Sequence, residues 1–255
     1  MKIIFLGTAA SISTKERDNT SLLLCKSRSR ELILIDCPGS LVSKFKKLNL
    51  NYTKLNKVII THHHPDHIYG LVSLIHSQYK LNKKLTIFSS NFSIRIIKKF
   101  LGLFNLTSKN YPKISFIDVF SQKYFFKNSD LKISAFKNKH CKGSFGINII
   151  YKNKNIVYSS DTALTKNIEK LINKNTYLIH DCTASSKFFK KHLSLYNLHT
   201  EAKQLKALAF RTKPKLLIPI HFLLLRKNEF KNIKKDLKEV KNIFLPEDFS
   251  SLYIR

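Results

Sequence analysis

Thr61-His62-His63-His64-Pro65-Asp66-His67 directly follows the apolar run Val58-Ile59-Ile60, and the rest of the chain is read outward from it. A β-branched apolar run closed by a polar, proline-containing segment reads as a buried strand ending in a loop. The H-x-H-x-D-H spacing in that loop can bring four metal-binding side chains to one point. Neutral imidazole suits zinc and iron, and a carboxylate beside it can hold a second, harder ion. The alternative, a solvated turn that happens to be rich in histidine, does not account for this spacing after a strand.

Further candidate ligands stand at the ends of later apolar runs. His140 follows the alternating segment Leu131–Phe136, Asp161 follows Ile156-Val157-Tyr158-Ser159-Ser160, and His221 ends Leu216-Leu217-Ile218-Pro219-Ile220. With the first block they give five histidines and two aspartates: His62, His64, Asp66, His67, His140, Asp161 and His221. That set exceeds one tetrahedral ion and fits two divalent ions that share a carboxylate. Two such ions make water nucleophilic near neutral pH and clamp the oxygens of a phosphoryl or acyl centre. Zinc is the expected metal, with manganese or iron as the alternatives for nitrogen and oxygen ligands.

In this order the motifs resemble those of the metallo-β-lactamase superfamily, from the opening Met1-Lys2-Ile3-Ile4-Phe5-Leu6-Gly7-Thr8 onward. The resemblance implies an α/β fold: a four-layer αβ/βα sandwich of two mixed sheets, with the metals at one edge. It assigns His62, His64 and His140 to one ion, Asp66, His67 and His221 to the other, and Asp161 to the bridge. Leu32–Cys37 resembles the family strand whose closing aspartate, here Asp36, supports the metal loop.

Within the superfamily the chain resembles ribonuclease Z. The segment Lys15–Ser21 resembles its basic loop, and Asp66-His67-Ile68-Tyr69-Gly70-Leu71 its D-H-x-x-G-L continuation. His180-Asp181-Cys182-Thr183, His199-Thr200-Glu201-Ala202 and His221-Phe222 resemble its H-E-A-T, H-S-T and T-H-F segments. The implied activity is cleavage of RNA, with the 3′ end of precursor tRNA as substrate and a homodimer as the assembly. Asp66 then accepts a proton from water as well as binding metal. His199 contacts the phosphate and protonates the leaving oxygen, a role that suits a positioned imidazole. His180 and Asp181 orient His199 or a ligand. The long arm with which that family grips tRNA is absent, since only twenty residues separate His140 from Asp161. The compact plan also resembles the small cyclic phosphodiesterases of phosphonate utilisation, without their cysteine-rich zinc site. Hydrolysis of a small phosphodiester is therefore the second expectation. A non-catalytic RNA-binding protein is the third, and the complete ligand set argues against it.

A chain of 255 residues with 43% hydrophobic residues can bury a sizeable core and is expected to form a single domain over 1–255. No apolar stretch approaches the roughly 18 residues of a membrane helix, and no signal-like start is seen, so a cytoplasmic protein is expected. Four scattered cysteines form no pair, and Cys37, Cys141 and Cys182 read as packing residues. The formal charge of +30 invites RNA as partner. Against this, only seven of the cations are arginine (17, 28, 30, 95, 211, 226 and 255), and arginine is the better bidentate reader of phosphate. A codon bias toward Lys, Asn and Ile explains the charge equally well. Hydrophobic periodicity predicts helices near 41–48, 70–79, 92–104, 163–173, 200–210 and 227–239, strands at 85–88 and several within 114–158. Alternating strand and helix signals support an α/β sandwich.

Overall fold

A computed structural model describes residues 1–26 and 31–254; Arg28, Arg30 and Arg255 lie outside the described residues. In chain order the first half runs β1 (Lys2–Gly7), β2 (Ser21–Cys25), β3 (Leu32–Ile35), α1 (Leu41–Lys47), β4 (Lys57–Ile59), α2 (Pro65–Ile68), α3 (Gly70–His76), β5 (Lys84–Ser89), α4 (Asn91–Leu103) and β6 (Lys113–Asp118). The second half runs β7 (Phe126–Lys127), β8 (Leu131–Lys137), β9 (Phe145–Tyr151), β10 (Lys154–Tyr158), α5 (Lys166–Glu169), β11 (Thr176–Asp181), α6 (Ser186–Phe189), α7 (Ala202–Thr212), β12 (Leu216–Ile220), α8 (Glu229–Asp236) and β13 (Ser251–Tyr253).

The strands form two mixed sheets, ordered β13-β1-β2-β3-β4-β5-β6 and β12-β11-β10-β9-β8-β7. Their apolar runs are continuous because both faces of each sheet are covered. In β1, Ile3 and Phe5 point into a core shared with Ile133, Phe145, Ile147 and Tyr158 of the other sheet. The alternate residues Ile4 and Leu6 join Val58, Leu85 and Ile87 beneath α1, α3 and α4. Val157, Leu178 and Leu217 do the same beneath α5, α7 and α8. A one-residue slip would exchange these two cores, so the pattern fixes the register. The result is the expected order of layers: helices, sheet, sheet, helices.

Parallel pairing of β3, β4, β5 and β6, and of β10, β11 and β12, gives these strands a common direction within each sheet. β8 runs the same way as β10, because both are antiparallel to β9. Their carboxyl ends therefore open onto one edge. There the sheets are laced together: Phe222 N donates to the Thr8 carbonyl (3.0 Å), and Ala10 N donates to the Phe222 carbonyl (2.9 Å).

Helix α4 follows its apolar period, burying Ile94, Ile97 and Leu101, and starts at Ser90, whose hydroxyl accepts from Ser93 N. The capping box of Glu201 and Gln204 starts α7. The helix expected over 163–173 is only the single turn of α5. Thr165 caps it late, and Asn173 and Thr176 close a turn immediately after it (Asn173 N to Thr176 Oγ1, 3.0 Å). β4 also stops at Ile59, so residues 61–64 are loop rather than strand. No helix among the described residues is long and apolar enough to cross a membrane.

Candidate metal centre

The edge where the strands end holds every candidate ligand. The loop after β4 is built around Asp36, a fully buried carboxylate at the end of β3. Asp36 accepts from Thr61 N (2.8 Å) and from the Thr61 hydroxyl (2.9 and 3.0 Å), and His67 Nδ1 lies 3.0 Å from its other oxygen. Cys37 N donates to the His67 carbonyl (2.8 Å) and Gly70 N to the Cys37 carbonyl (2.9 Å). A side chain at residue 70 would collide with the Pro38 carbonyl, so only glycine lets α3 start this close to β3. Asp36→Ala is expected to weaken metal affinity about 10–100-fold, as loss of an outer-shell partner does, and to lower Tm; metal titration and thermal unfolding check this.

Around this loop the imidazoles are oriented one by one. Thr61 Oγ1 gives its proton to Asp36, so His62 Nδ1–H donates to it (3.1 Å) and His62 Nε2 is left bare. His140 Nδ1–H donates to the Leu198 carbonyl (2.9 Å). Thr183 Oγ1 donates to Asp181 Oδ1 (2.7 Å), so His221 Nδ1–H donates to Thr183 (3.1 Å). His67 has Nδ1 against Asp36. His62, His140 and His221 thus each spend the outer nitrogen on an oxygen and turn a bare Nε2 inward, while His67 lies beside Asp36 with neither ring nitrogen hydrogen-bonded.

The inward nitrogens converge. His64 Nδ1 is 3.2 Å from His62 Nε2 and 3.1 Å from His140 Nε2. Asp161 Oδ2 lies 3.0 Å from His221 Nε2, 3.4 Å from His67 Nε2, 3.7 Å from His62 Nε2 and 3.8 Å from His140 Nε2. Asp66 Oδ2 is 3.4 Å from His67 Nε2. Four overlapping groups of donors could hold an ion: His62, His64 and His140; Asp66, His67, Asp161 and His221; His140, Asp161 and His199; and Asp181, His199 and His221.

A divalent cation fits this set. Zinc–nitrogen bonds of about 2.0–2.1 Å at a tetrahedral angle place ligand atoms about 3.3 Å apart, close to the spacing of the three nitrogens around His64. Buried His67 Nε2, His221 Nε2 and Asp161 Oδ1 have no hydrogen-bond partner. Unpartnered buried acceptors are costly, and a shared cation removes the cost. Burial, reinforced by His67, holds His62 well below the ordinary imidazole range, which favours the neutral ring a metal ion needs. Burial alone would raise Asp161, but His221 and His67 hold it well below the carboxylate range. The backbone is strained at the same edge: Asp36 (φ 58°), Ser160 (φ 53°) and His221 (φ 67°) are left-handed without being glycine. Such residues cost about 1–3 kcal/mol each and gather at functional sites.

His199 stands beside the ligands, stacked on His221 (ring centroids 5.2 Å apart, 16°) and edge-on to His140 (4.8 Å). Its Nδ1–H donates to Asp181 Oδ2 at 2.8 Å, and that same oxygen accepts from Thr162 N at 3.0 Å. Burial opposes protonation of His199, but Asp181, followed by Asp161 and Asp66, pushes its pKa up to about 9. Through Thr183, Asp181 also fixes His221, so one carboxylate orients two rings.

His180 is not brought to this group. It alternates with Ile179 and Asp181 along β11 and so faces the helix layer, with its Nδ1 on the Asp181 carbonyl (2.9 Å). His63 turns away from the ligand nitrogens and packs on Phe92. His76 lies far along α3 against Tyr111, and His192 packs on Phe188. Thr61, Thr183 and the Leu198 carbonyl, which set the tautomers, were not singled out from sequence. A threonine next to each motif is too common a signal to read. Cys37 and Cys182 are buried, and burial pushes the Cys141 thiol up to about 11, which disfavours a thiolate there.

Residues 1–222 match the family described as "Anti-Pycsar protein Apyc1". Ribonuclease Z of Prochlorococcus marinus (strain MIT 9515) is 30% identical over 180 residues, 66% of this chain and 55% of that protein. Ribonuclease Z of Staphylococcus carnosus (strain TM300) is 32% identical over 153 residues, 58% of this chain and 49% of that protein. The chain thus spans about half the length of the curated relatives it matches. Among solved structures, human short-form tRNase Z superposes over 100% of both chains with a TM-score of 0.79 at 21% identity. The metallo-beta-lactamase fold protein YhfI from Bacillus subtilis superposes over 99% of both with a TM-score of 0.80 at 18% identity. The fold is therefore the metallo-β-lactamase fold.

Proposed function

This chain belongs to the family of the anti-Pycsar protein Apyc1, and from that premise we propose that it is a two-metal phosphodiester hydrolase acting on small cyclic phosphodiesters. The observation that carries the proposal is the ring of bare imidazole nitrogens converging on Asp161 Oδ2. His62, His64 and His140 would hold one ion and Asp66, His67 and His221 the other, with Asp161 shared; zinc is the metal proposed. When bound, the ions supply positive charge that makes water nucleophilic near neutral pH and offsets charge on the phosphoryl oxygens.

The residues of the chain do the rest. Asp66, part-exposed at the mouth, takes a proton from the attacking water as its oxygen bonds to phosphorus. The bond from phosphorus to the leaving oxygen breaks, and His199 supplies the proton that oxygen needs. Asp181 holds His199 Nδ1, so the other ring nitrogen is the one that faces the reaction. Asp36 keeps the loop rigid beneath the ligands.

Two features support a small substrate. β9 and β10 are joined by a two-residue turn at 152–153, leaving no arm of the kind the ribonuclease resemblance leads one to expect. A cluster of cations also lies away from the site: Lys80, Lys83, Lys109 and Lys113 line a groove at the opposite, amino-terminal ends of β5 and β6. The second reading is processing of RNA, including the 3′ end of precursor tRNA by a homodimer. It is favoured by the 30% identity to ribonuclease Z. Either reaction is assigned to the cytoplasm.

Metal-loaded protein should open nucleoside 2′,3′- or 3′,5′-cyclic phosphates and leave a 3′-extended precursor tRNA intact, with chelator abolishing turnover. Cleavage of the tRNA alone would move the protein to the second reading. Turnover of neither would contradict phosphodiester hydrolysis.

A further inference from the structure

Between Asp66 and Asp118 the chain carries seven lysines, one arginine and no acidic residue. This stretch builds two adjoining features at the end of the sheet opposite the metal centre. Because β5 and β6 are parallel, α4 between them must run back, and its carboxyl end meets the amino end of β6. An apolar tip stands there. Helix α4 buries Ile94, Ile97 and Leu101 and finishes in Leu103, 81% exposed, followed by Phe104, 53% exposed. Asn105, left-handed at φ 51°, and buried Leu106, whose N–H donates to the Leu101 carbonyl (3.2 Å), fix the turn behind the tip. A side chain built at Gly102 would meet nothing within 4 Å, so the tip is open on that side too.

The chain then enters the second feature, a groove of about 560 Å³ lined by residues 80–83, 107–114 and Phe116. Its two walls are tied by Lys80 N donating to the Asn110 carbonyl (2.7 Å), and the Tyr111 hydroxyl lies 3.0 Å from His76 Nδ1. Lys83 Nζ is spent on the Thr53 and Leu55 carbonyls, but Lys80, Lys109 and Lys113 are exposed, and no carboxylate lines the groove.

We propose that the tip and the groove form a docking surface for an anionic phospholipid membrane, with headgroup phosphates at the lysines and Leu103 and Phe104 at the acyl boundary. An exposed aliphatic side chain beside uncompensated cations is matched by a surface that offers anions and hydrocarbon together, as an anionic leaflet does. A nucleic acid satisfies the lysines and leaves Leu103 in water. A second copy docked through this same face would set the acid-free stretch against itself. The docked protein would turn its metal edge away from the lipid, toward soluble substrate, whichever phosphodiester that is.

The chain has no tryptophan, so Phe104→Trp gives the full-length protein a single reporter. Vesicles of equal parts phosphatidylglycerol and phosphatidylcholine should shift its emission to the blue, and phosphatidylcholine vesicles should not. The parent chain should cosediment with the anionic vesicles about tenfold or more tightly than with the neutral ones. Leu103→Ser combined with Phe104→Ser should weaken that binding about tenfold. Lys109→Gln combined with Lys113→Gln should weaken it as much and flatten its salt dependence. All four side chains are exposed, so thermal unfolding should match the parent in both variants. No blue shift, equal binding to both vesicles, or parental binding in either double variant would overturn the proposal. A single-stranded oligonucleotide bound through the same lysines, with no binding to vesicles, would overturn it in favour of nucleic acid.

Discussion

Asp161→Ala is expected to cut turnover of a cyclic phosphodiester by about 10³-fold or more and to lower the number of tightly bound ions from two toward one. Outer-shell changes cost about 10–100-fold, and Asp161 is the carboxylate that faces four bare ring nitrogens at 3.0–3.8 Å. Its loss removes the anion common to all four and leaves Asp66, which lies 3.4 Å from His67 Nε2. Metal analysis on dialysed protein beside steady-state kinetics checks both halves. A variant that keeps two ions and parental kcat would remove Asp161 from the centre of the account.

His199→Ala is expected to lower kcat by about 10²–10⁴-fold while leaving metal content unchanged, as loss of a general acid does. The loss should shrink for a p-nitrophenyl ester, whose leaving group needs no proton. That dependence separates proton donation from a merely structural role. Asp181→Ala should reproduce the direction with a second effect, because Asp181 also fixes His221 through Thr183. A His199→Ala variant that loses equally on both kinds of leaving group would place His199 in substrate binding rather than acid catalysis.

The edge carrying the site was legible because strand ends and chemistry coincide in the sequence. Each of His140, Asp161 and His221 closes or closely follows an apolar run, and the run's own burial carries the residue to the common edge. The loop 61–67 was legible from spacing alone. His63, in the loop beyond the end of β4, packs on Phe92 instead of joining the ligand group. His180 is likewise outside that group. It sits next to Asp181 in sequence, but on a real strand neighbours face opposite layers.

Tautomers and supports were not legible. Thr61 and Thr183 act through hydroxyl protons whose direction depends on Asp36 and Asp181, residues distant from the rings they set. Helix ends drifted where a cap decided them, as at Thr165, which delays α5 to Lys166.

The most direct measurement is a stepwise zinc titration of apoprotein, with bound metal and turnover of a nucleoside cyclic phosphate followed together. Two tight equivalents per chain are expected, with turnover appearing as the pair of sites fills. Saturation at one equivalent, or turnover that survives complete removal of metal, would contradict it.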